Sequence, residues 1–332
     1  MARRRLSDQQ HKRIQARQDS LRQQHTEAGN ASSAATTAER TGLVIAAFGT
    51  ALVVEEQDGA LWHCKLRRAV GRALCGDQVL WQPQGDGQGV VLTVLARRSE
   101  LARREGTRRK LMAANVDRLI VVFSAQIAFN ALNLDRILVG AHIQGIEPVI
   151  VINKADLLND AQLTLWQTQL AAYQALAYPV LFTSVARLTG LHDLTLQLNG
   201  HTSILLGASG VGKSSLVQCL LPQREIRIGA VSEASGRGRH TTSAATLYHL
   251  SAGGDLIDAP GLSDFGPDHV SAERISEAFP EIRRLLGTCK FRDCAHRNEP
   301  GCALLAGLEK GDISAERLAS MHALIAEQND SA

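Results

Sequence analysis

The octapeptide Gly207-Ala208-Ser209-Gly210-Val211-Gly212-Lys213-Ser214 matches the spacing G-x-x-x-x-G-K-[ST]. Glycines at these offsets let consecutive backbone N–H groups turn into one concavity, the shape that a chain of phosphates needs. The run Ser203–Leu206 before it reads as a strand, and Lys213 opens the helical run KSSLVQCLL. A helix starting there aims its unpaired N–H groups and positive end at the same point. Lys213 is then placed to bridge β- and γ-phosphates, and the Ser214 hydroxyl to bind Mg²⁺.

The base is addressed elsewhere. Asn153-Lys154-Ala155-Asp156 follows the apolar run PVIVI, which puts it at a strand's C-terminal end, where α/β sheets bind ligands. The acceptor-only Asp156 carboxylate suits guanine N1–H and the exocyclic amine, and adenine offers the opposite pattern. Asn153 is in reach of guanine N7, and the Lys154 stem can stack on the base. This N-K-x-D signature resembles that of translation-factor and Ras-like GTPases.

Asp258-Ala259-Pro260-Gly261 follows the strand run GDLI and fits D-x-x-G, in which the acid meets Mg²⁺ through water and the glycine N–H meets the γ-phosphate. Between the two phosphate motifs, SGRGRHTTS holds Thr241 and Thr242, one of which is the candidate switch threonine. Ser214 and Thr242 are the magnesium candidates. Thr183-Ser184-Val185, after the run PVLF, fits the weaker guanine-loop motif, with Ser184 as its candidate contact. The order is informative. A standard GTPase runs P-loop, switch threonine, D-x-x-G, N-K-x-D, whereas here N-K-x-D comes first. The domain therefore reads as circularly permuted, with TGLHDLTLQLNGHTS joining the usual termini. Both switches fall at its C-terminal end, so the chain after Gly261 is tied to them.

That following chain carries Cys289-x4-Cys294-x-His296-x5-Cys302. Three thiolates and one imidazole satisfy tetrahedral zinc and leave no position for water, which describes a structural site. Lys290, Arg292 and Arg297 keep its surface basic. Cys64, Cys75 and Cys219 read as small buried hydrophobes, and Trp62, Trp81 and Trp166 as core.

The elements that must position these groups follow from pattern. At 332 residues and 35.8 kDa the chain has room for two or three domains. Residues 1–40 read as a disordered basic tail, either a solubilising segment or a polyanion-binding arm. Residues 41–97 hold short β-rich runs separated by turn signals. They fit a small closed barrel, with an OB-fold expected and an SH3-like barrel as the rival. Residues 98–266 alternate strand and helix runs behind a basic linker, which implies a mostly parallel sheet covered on both faces. Residues 267–332 form the zinc-binding module, mainly helical, closed by AERLASMHALIAEQ.

The net charge of +3 conceals two runs of +5, one up to Gln24 and one from Arg97 to Lys110, on a remainder of −7. A basic patch on an acidic body suits a phosphate backbone. No run of 18 apolar residues and no export signal is present, so a cytoplasmic protein is expected.

In Ras-like enzymes a Gln after D-x-x-G orients the attacking water; Leu262 stands there and has no hydrogen bond to offer. The intrinsic rate is then expected to be low, about 10⁻⁴ to 10⁻² s⁻¹. His240 is the candidate to position water in its place. The catalytic candidates are thus His240, Lys213, Thr241 and Thr242, with Arg237 and Arg239 available to phosphate or a partner.

Taken in order, an OB-like barrel, NKAD–GASGVGKSS–GRGRHTT–DAPG and C-x4-C-x-H-x5-C resemble the ribosome small-subunit-dependent GTPase A family of bacteria over about residues 41–330. The resemblance implies a GTPase that binds the small (30S) ribosomal subunit late in its maturation. It implies barrel and zinc module on ribosomal RNA and hydrolysis stimulated by the subunit; the lack of a long apolar run predicts no membrane partner. It implies GTP or GDP, Mg²⁺ and one structural Zn²⁺ as bound groups, and a monomeric chain is expected. By motif position it assigns guanine to Asn153, Lys154 and Asp156, phosphate and Mg²⁺ to Gly207 through Ser215, and zinc to Cys289, Cys294, His296 and Cys302. The alternative is an RNA-binding scaffold with a mainly structural guanine-nucleotide site. A P-loop kinase of a small metabolite is disfavoured by N-K-x-D.

Overall fold

A computed structural model describes residues 39–105, 108–221, 245–259 and 265–329. Five strands open the chain: β1 (Arg40–Phe48), β2 (Ala51–Glu55), β3 (Leu61–Leu66), β4 (Gln78–Gly85) and β5 (Gln88–Val94). They pair in the order β1-β2-β3-β5-β4, and β4 returns to β1, so the sheet closes. This is the expected OB-like barrel. Alternation decides its inside: Val44, Leu52, Val54, Cys64, Val79, Trp81 and Val91 fill the interior. Trp81 is fully buried, whereas Trp62 is half-buried against it at 4.9 Å, so Trp62 only partly fits the expected core role.

The basic run expected as a linker is instead a hairpin, β6 (Glu100–Glu105) and β7 (Arg108–Ala114). Leu101 and Ala113 enter the core beneath it. Arg97 bonds to the buried Asp77 of the barrel and to Glu100, so this cation serves packing. Charge density hid the strand alternation in the sequence.

The α/β part follows: β8 (Arg118–Ser124), α1 (Ala131–Ile143), β9 (Glu147–Asn153), α2 (Asp160–Ala175), β10 (Val180–Thr183), α3 (Leu191–Leu198), β11 (Thr202–Leu206), α4 (Lys213–Leu220), β12 (Thr246–His249) and β13 (Asp255–Asp258). Strands β10-β9-β8-β11-β13 are parallel, and β12 joins antiparallel. The P-loop strand β11 therefore lies between β8 and β13. Leu119 and Val121 face one core, Ile120 and Val122 the other, as a sheet buried on both sides requires. Asn130 caps α1, and Asn159 with Gln162 forms a capping box on α2.

Strand β1 belongs to both units. It closes the barrel through Arg40–Leu43, bulges between Val44 and Ala46, and pairs with β12 at Ala46. Ile45, Ala46, Val53 and Cys75 share a core with the α/β strands. Cys64 and Cys75 are buried, as expected, and burial pushes the Cys64 thiol up to about 12; Cys219 is half-buried. Trp166 is buried on α2.

The C-terminal part consists of α5 (Ala272–Glu277), α6 (Pro280–Arg283), α7 (Ala303–Lys310) and α8 (Ala315–Asn329). Its core packs Phe279, Ile282, Leu304 and Met321 against Val139 of α1. Among the described residues no helix is long and apolar enough to cross a membrane.

Candidate nucleotide site and metal centre

The parallel strands bring the expected motifs to one end of the sheet, at the C-terminal ends of β9, β11 and β13. Gly207 lies at the end of β11, and Gly210 and Gly212 have φ of +83° and +96°, which side-chain-bearing residues rarely adopt. Ala208, Ser209 and Gly210 are exposed, while Val211 is buried and anchors the loop. Gly212 caps α4 without a side-chain bond, so the first-turn N–H groups, with Ser214 and Ser215 exposed beside them, are open to a phosphate. Lys213 Nζ donates to the carbonyl oxygens of Gly207 at 2.6 Å and Ala208 at 2.7 Å, which folds the ammonium over the loop. Partial burial lowers the Lys213 pKa, and the nearby Asp258 opposes that shift. Lys213 and Asp258 are thus brought together, as the P-loop and D-x-x-G readings require.

The N-K-x-D loop is fastened to the P-loop by its own side chains. Asn153 Nδ2 donates to the Val211 carbonyl oxygen at 2.9 Å, and Lys154 Nζ to that of Gly210 at 2.8 Å. Asn153 Oδ1 accepts from Thr183 Oγ1 at 3.1 Å. Lys154 holds φ of +61°, in the left-handed region. Asp156 follows in a short 3₁₀ turn, Ala155–Leu157, and is exposed. Ser184 is buried, and its hydroxyl accepts from the Arg187 N–H at 3.0 Å, which shapes the turn after β10. The sequence shows Thr183 only as part of the weak motif around Ser184, and no local pattern shows its support of Asn153, 30 residues away.

The candidates Arg237, Arg239, His240, Thr241, Thr242, Gly261 and Leu262 lie outside the described residues, as does the tail up to residue 38.

Cys289, Cys294, His296 and Cys302 offer four ligand atoms that all lie within 4.8 Å of one another. The Sγ atoms of Cys289 and Cys302 are each 3.5 Å from His296 Nδ1. A tetrahedral ion with Zn–S near 2.3 Å separates its ligands by about 3.5–3.8 Å, so the donors fit. Burial lowers the His296 pKa and favours the neutral ring that a metal needs. The Glu299 carboxylate accepts from the N–H groups of Ala295, Arg297 and Asn298 and holds this loop closed. Those backbone bonds pull Glu299 down to about 2.

A closed OB-like barrel, an α/β sheet with N-K-x-D ahead of the P-loop, and a helical module with a Cys₃His cluster define a circularly permuted GTPase. The family model described as RsgA GTPase matches residues 94–268. The chain is 45% identical over 294 residues to "Small ribosomal subunit biogenesis GTPase RsgA" of Pseudomonas syringae pv. tomato, covering 87% of this chain and 85% of that one. It is 44% identical over 289 residues to the protein of the same name from Pseudomonas aeruginosa, with the same coverage. YjeQ from Thermotoga maritima superposes with a TM-score of 0.72 at 30% identity, covering 87% of this chain and 98% of its own. YloQ, described as a circularly permuted GTPase, gives 0.72 at 28%, covering 91% and 99%. The chain belongs to the RsgA GTPase family and is a GTP hydrolase.

Proposed function

We propose that this GTP hydrolase binds the small ribosomal subunit late in its maturation, that the subunit stimulates hydrolysis, and that hydrolysis releases the protein. The observation that carries the nucleotide part is the fastening of the base loop to the phosphate loop, Asn153 on Val211 and Lys154 on Gly210. Two loops held in one frame fix the distance between base and phosphate sites. The relatives' names support the subunit as partner. An RNA-binding scaffold with a merely structural nucleotide site is not favoured.

In this reading Asn153, Lys154, Asp156 and Ser184 shape the guanine site, and Gly207 to Ser215 cradle the phosphates. Ser214 and one of Thr241 and Thr242 would hold Mg²⁺, with Asp258 as a further candidate, and bound there it would supply charge neutralisation at the phosphate oxygens. Lys213 exchanges its carbonyl partners for phosphate. His240 positions water. The Cys₃His cluster holds zinc and keeps the helical module folded. The barrel and the basic loop around Lys290, Arg292 and Arg297 bind ribosomal RNA. The reading takes the chain as a monomer, and the partner supports a cytoplasmic address.

The test is GTP turnover against added small subunits across a salt series. Salt-sensitive stimulation is expected, because phosphate contacts weaken as salt rises. Turnover indifferent to the subunit refutes the reading. His240→Ala is expected to abolish stimulated turnover and to leave GTP affinity intact; undiminished stimulation removes His240.

A further inference from the structure

The barrel grips the β12–β13 hairpin at two places. At one end, Thr246 pairs with Ala46 of the barrel on one side and with Asp258 on the other. A single row of residues thus crosses from the barrel to the acid of D-x-x-G. Ala46 sits beside the bulge where β1 leaves its barrel partner β4. At the other end, His249 Nε2 lies 2.5 Å from Glu55 Oε2, and His249 Nδ1 lies 2.5 Å from Asp255 Oδ1. Glu55 belongs to β2 of the barrel and is nearly buried.

Both ring nitrogens of His249 face a carboxylate oxygen, and a doubly protonated ring satisfies both by donating twice. The hydrogen bonds to Asp255 and Glu55 push His249 up to about 9 against the cost of burial. Arg98, Asp117 and His201 line the adjoining cleft of about 590 Å³, together with His249 and Asp255, and complete its charged surroundings. The hairpin itself is strategic. Strand β12 begins four residues after Thr242, and β13 ends at Asp258. It is the piece of chain that joins both switch motifs.

We propose that Glu55, His249 and Asp255 form a clamp of positioning residues through which a load on the barrel moves the β12–β13 hairpin, and with it Asp258, at the hydrolysis site. The inference rests on the function proposed above, because the load is RNA held by the barrel. A four-residue strand bonded on both sides moves as a unit with its neighbours. Asp258 lies one residue beyond the last β13 residue paired with β11, Ile257, and it pairs with Thr246, so displacing Ala46 relative to β11 shifts Thr246 and Asp258 together. The clamp is remote from the base and phosphate loops, so weakening it leaves nucleotide binding alone.

The experiment compares the full chain with Glu55→Gln and His249→Gln. Glu55→Gln keeps an oxygen that accepts from the ring, so this variant retains the packing. GTP turnover is measured without and with saturating small subunits, alongside cosedimentation with the subunit and a melting curve. Both variants are expected to keep the KM for GTP, the cosedimentation and a basal kcat within about twofold, while stimulated kcat falls by about fivefold or more. In the unmodified protein the ratio of stimulated to basal rate is expected to fall as pH rises from about 8 to about 9.5, and in His249→Gln to stay flat. Stimulated kcat within about twofold of the parent in both variants overturns the clamp, as does an equal fractional loss of basal and stimulated rate. An unmodified protein that the subunit does not stimulate overturns the functional reading first, before any variant is compared.

Discussion

The Asn153 side-chain amide donates to the Val211 carbonyl oxygen at 2.9 Å, joining two loops 58 residues apart in sequence. Its other end accepts from Thr183, and the residue is 2% exposed. So enclosed a group sets the geometry of the site besides any contact it makes with a base. Asn153→Ala leaves a buried carbonyl and a buried hydroxyl without their partner, which costs about 1–3 kcal/mol. We expect a lower melting temperature and a GDP affinity reduced about tenfold to a hundredfold, measured by calorimetry. Unchanged GDP affinity would take Asn153 out of the site.

Gly210 and Gly212 share positive φ but differ in their surroundings. A Cβ on Gly212 would lie 2.3 Å from Asn153 Nδ2, whereas one on Gly210 would meet nothing within 4 Å. Gly210→Ala then carries backbone strain alone, about 1 kcal/mol. Gly212→Ala adds a clash with the residue that fastens the two loops. The expected order of GDP affinity is parent, then Gly210→Ala, then Gly212→Ala, with the larger step at 212. The reverse order contradicts the packing described.

His249 carries a pH dependence whose sign is fixed by its carboxylate partners. Bonds to Asp255 and Glu55 raise its pKa from 6.5 to about 9. A raised folded-state pKa contributes stability that is fully present below the unfolded value and is lost as pH rises through the folded one. The melting temperature is therefore expected to fall between about pH 6.5 and 9 by more in the parent protein than in His249→Gln. The ring is nearly half exposed, so solvent screening keeps the effect modest. Parallel pH curves for the two proteins contradict the clamp's charge.

Much of this was legible because the chemistry is local. The P-loop, N-K-x-D and the Cys/His cluster each occupy a short stretch, and turn glycines and strand runs announce the barrel and the permuted sheet. The hairpin Glu100–Ala114 escaped because seven cations within Arg97–Lys110 mask its alternation, and one of them, Arg97, neutralises the buried Asp77. The fastening of Lys154 to Gly210, the Glu55–His249 contact and the buried ion pair between Arg317 and Asp135 escaped for a different reason. Their partners lie 56, 194 and 182 residues apart, and no local pattern brings such residues together.

The Cys₃His cluster leads to a metal prediction with two readouts. Chelation under denaturing conditions is expected to release one zinc per chain, and Cys294→Ser to release less. Because Cys302 is the N-cap residue of α7 and packs into the core with Phe279 and Met321, metal loss should loosen that core while the P-loop stays intact. The expected outcome is a lower melting temperature with GDP affinity unchanged. A metal-free parent protein with the same melting temperature contradicts a structural site.

Arg317 on α8 donates to Glu281 Oε1 at 2.6 Å and to Oε2 at 3.1 Å, and also to Asp135 Oδ1 at 2.6 Å on α1. Tyr173 donates to the same Asp135 oxygen, and the guanidinium stacks 4.5 Å from the Phe279 ring. The three ionic side chains are almost wholly buried, so the helical module is attached to α1 of the GTPase domain through charge taken out of water. Removing one partner of such a network strands the others, at about 3–5 kcal/mol. Arg317→Met is expected to lower unfolding stability by that amount in urea titrations. Replacing all three with apolar residues of similar size should recover most of the loss, because the desolvation cost disappears with the charges. A single variant as stable as the parent would mean that packing around Phe279, and not this network, holds the module in place.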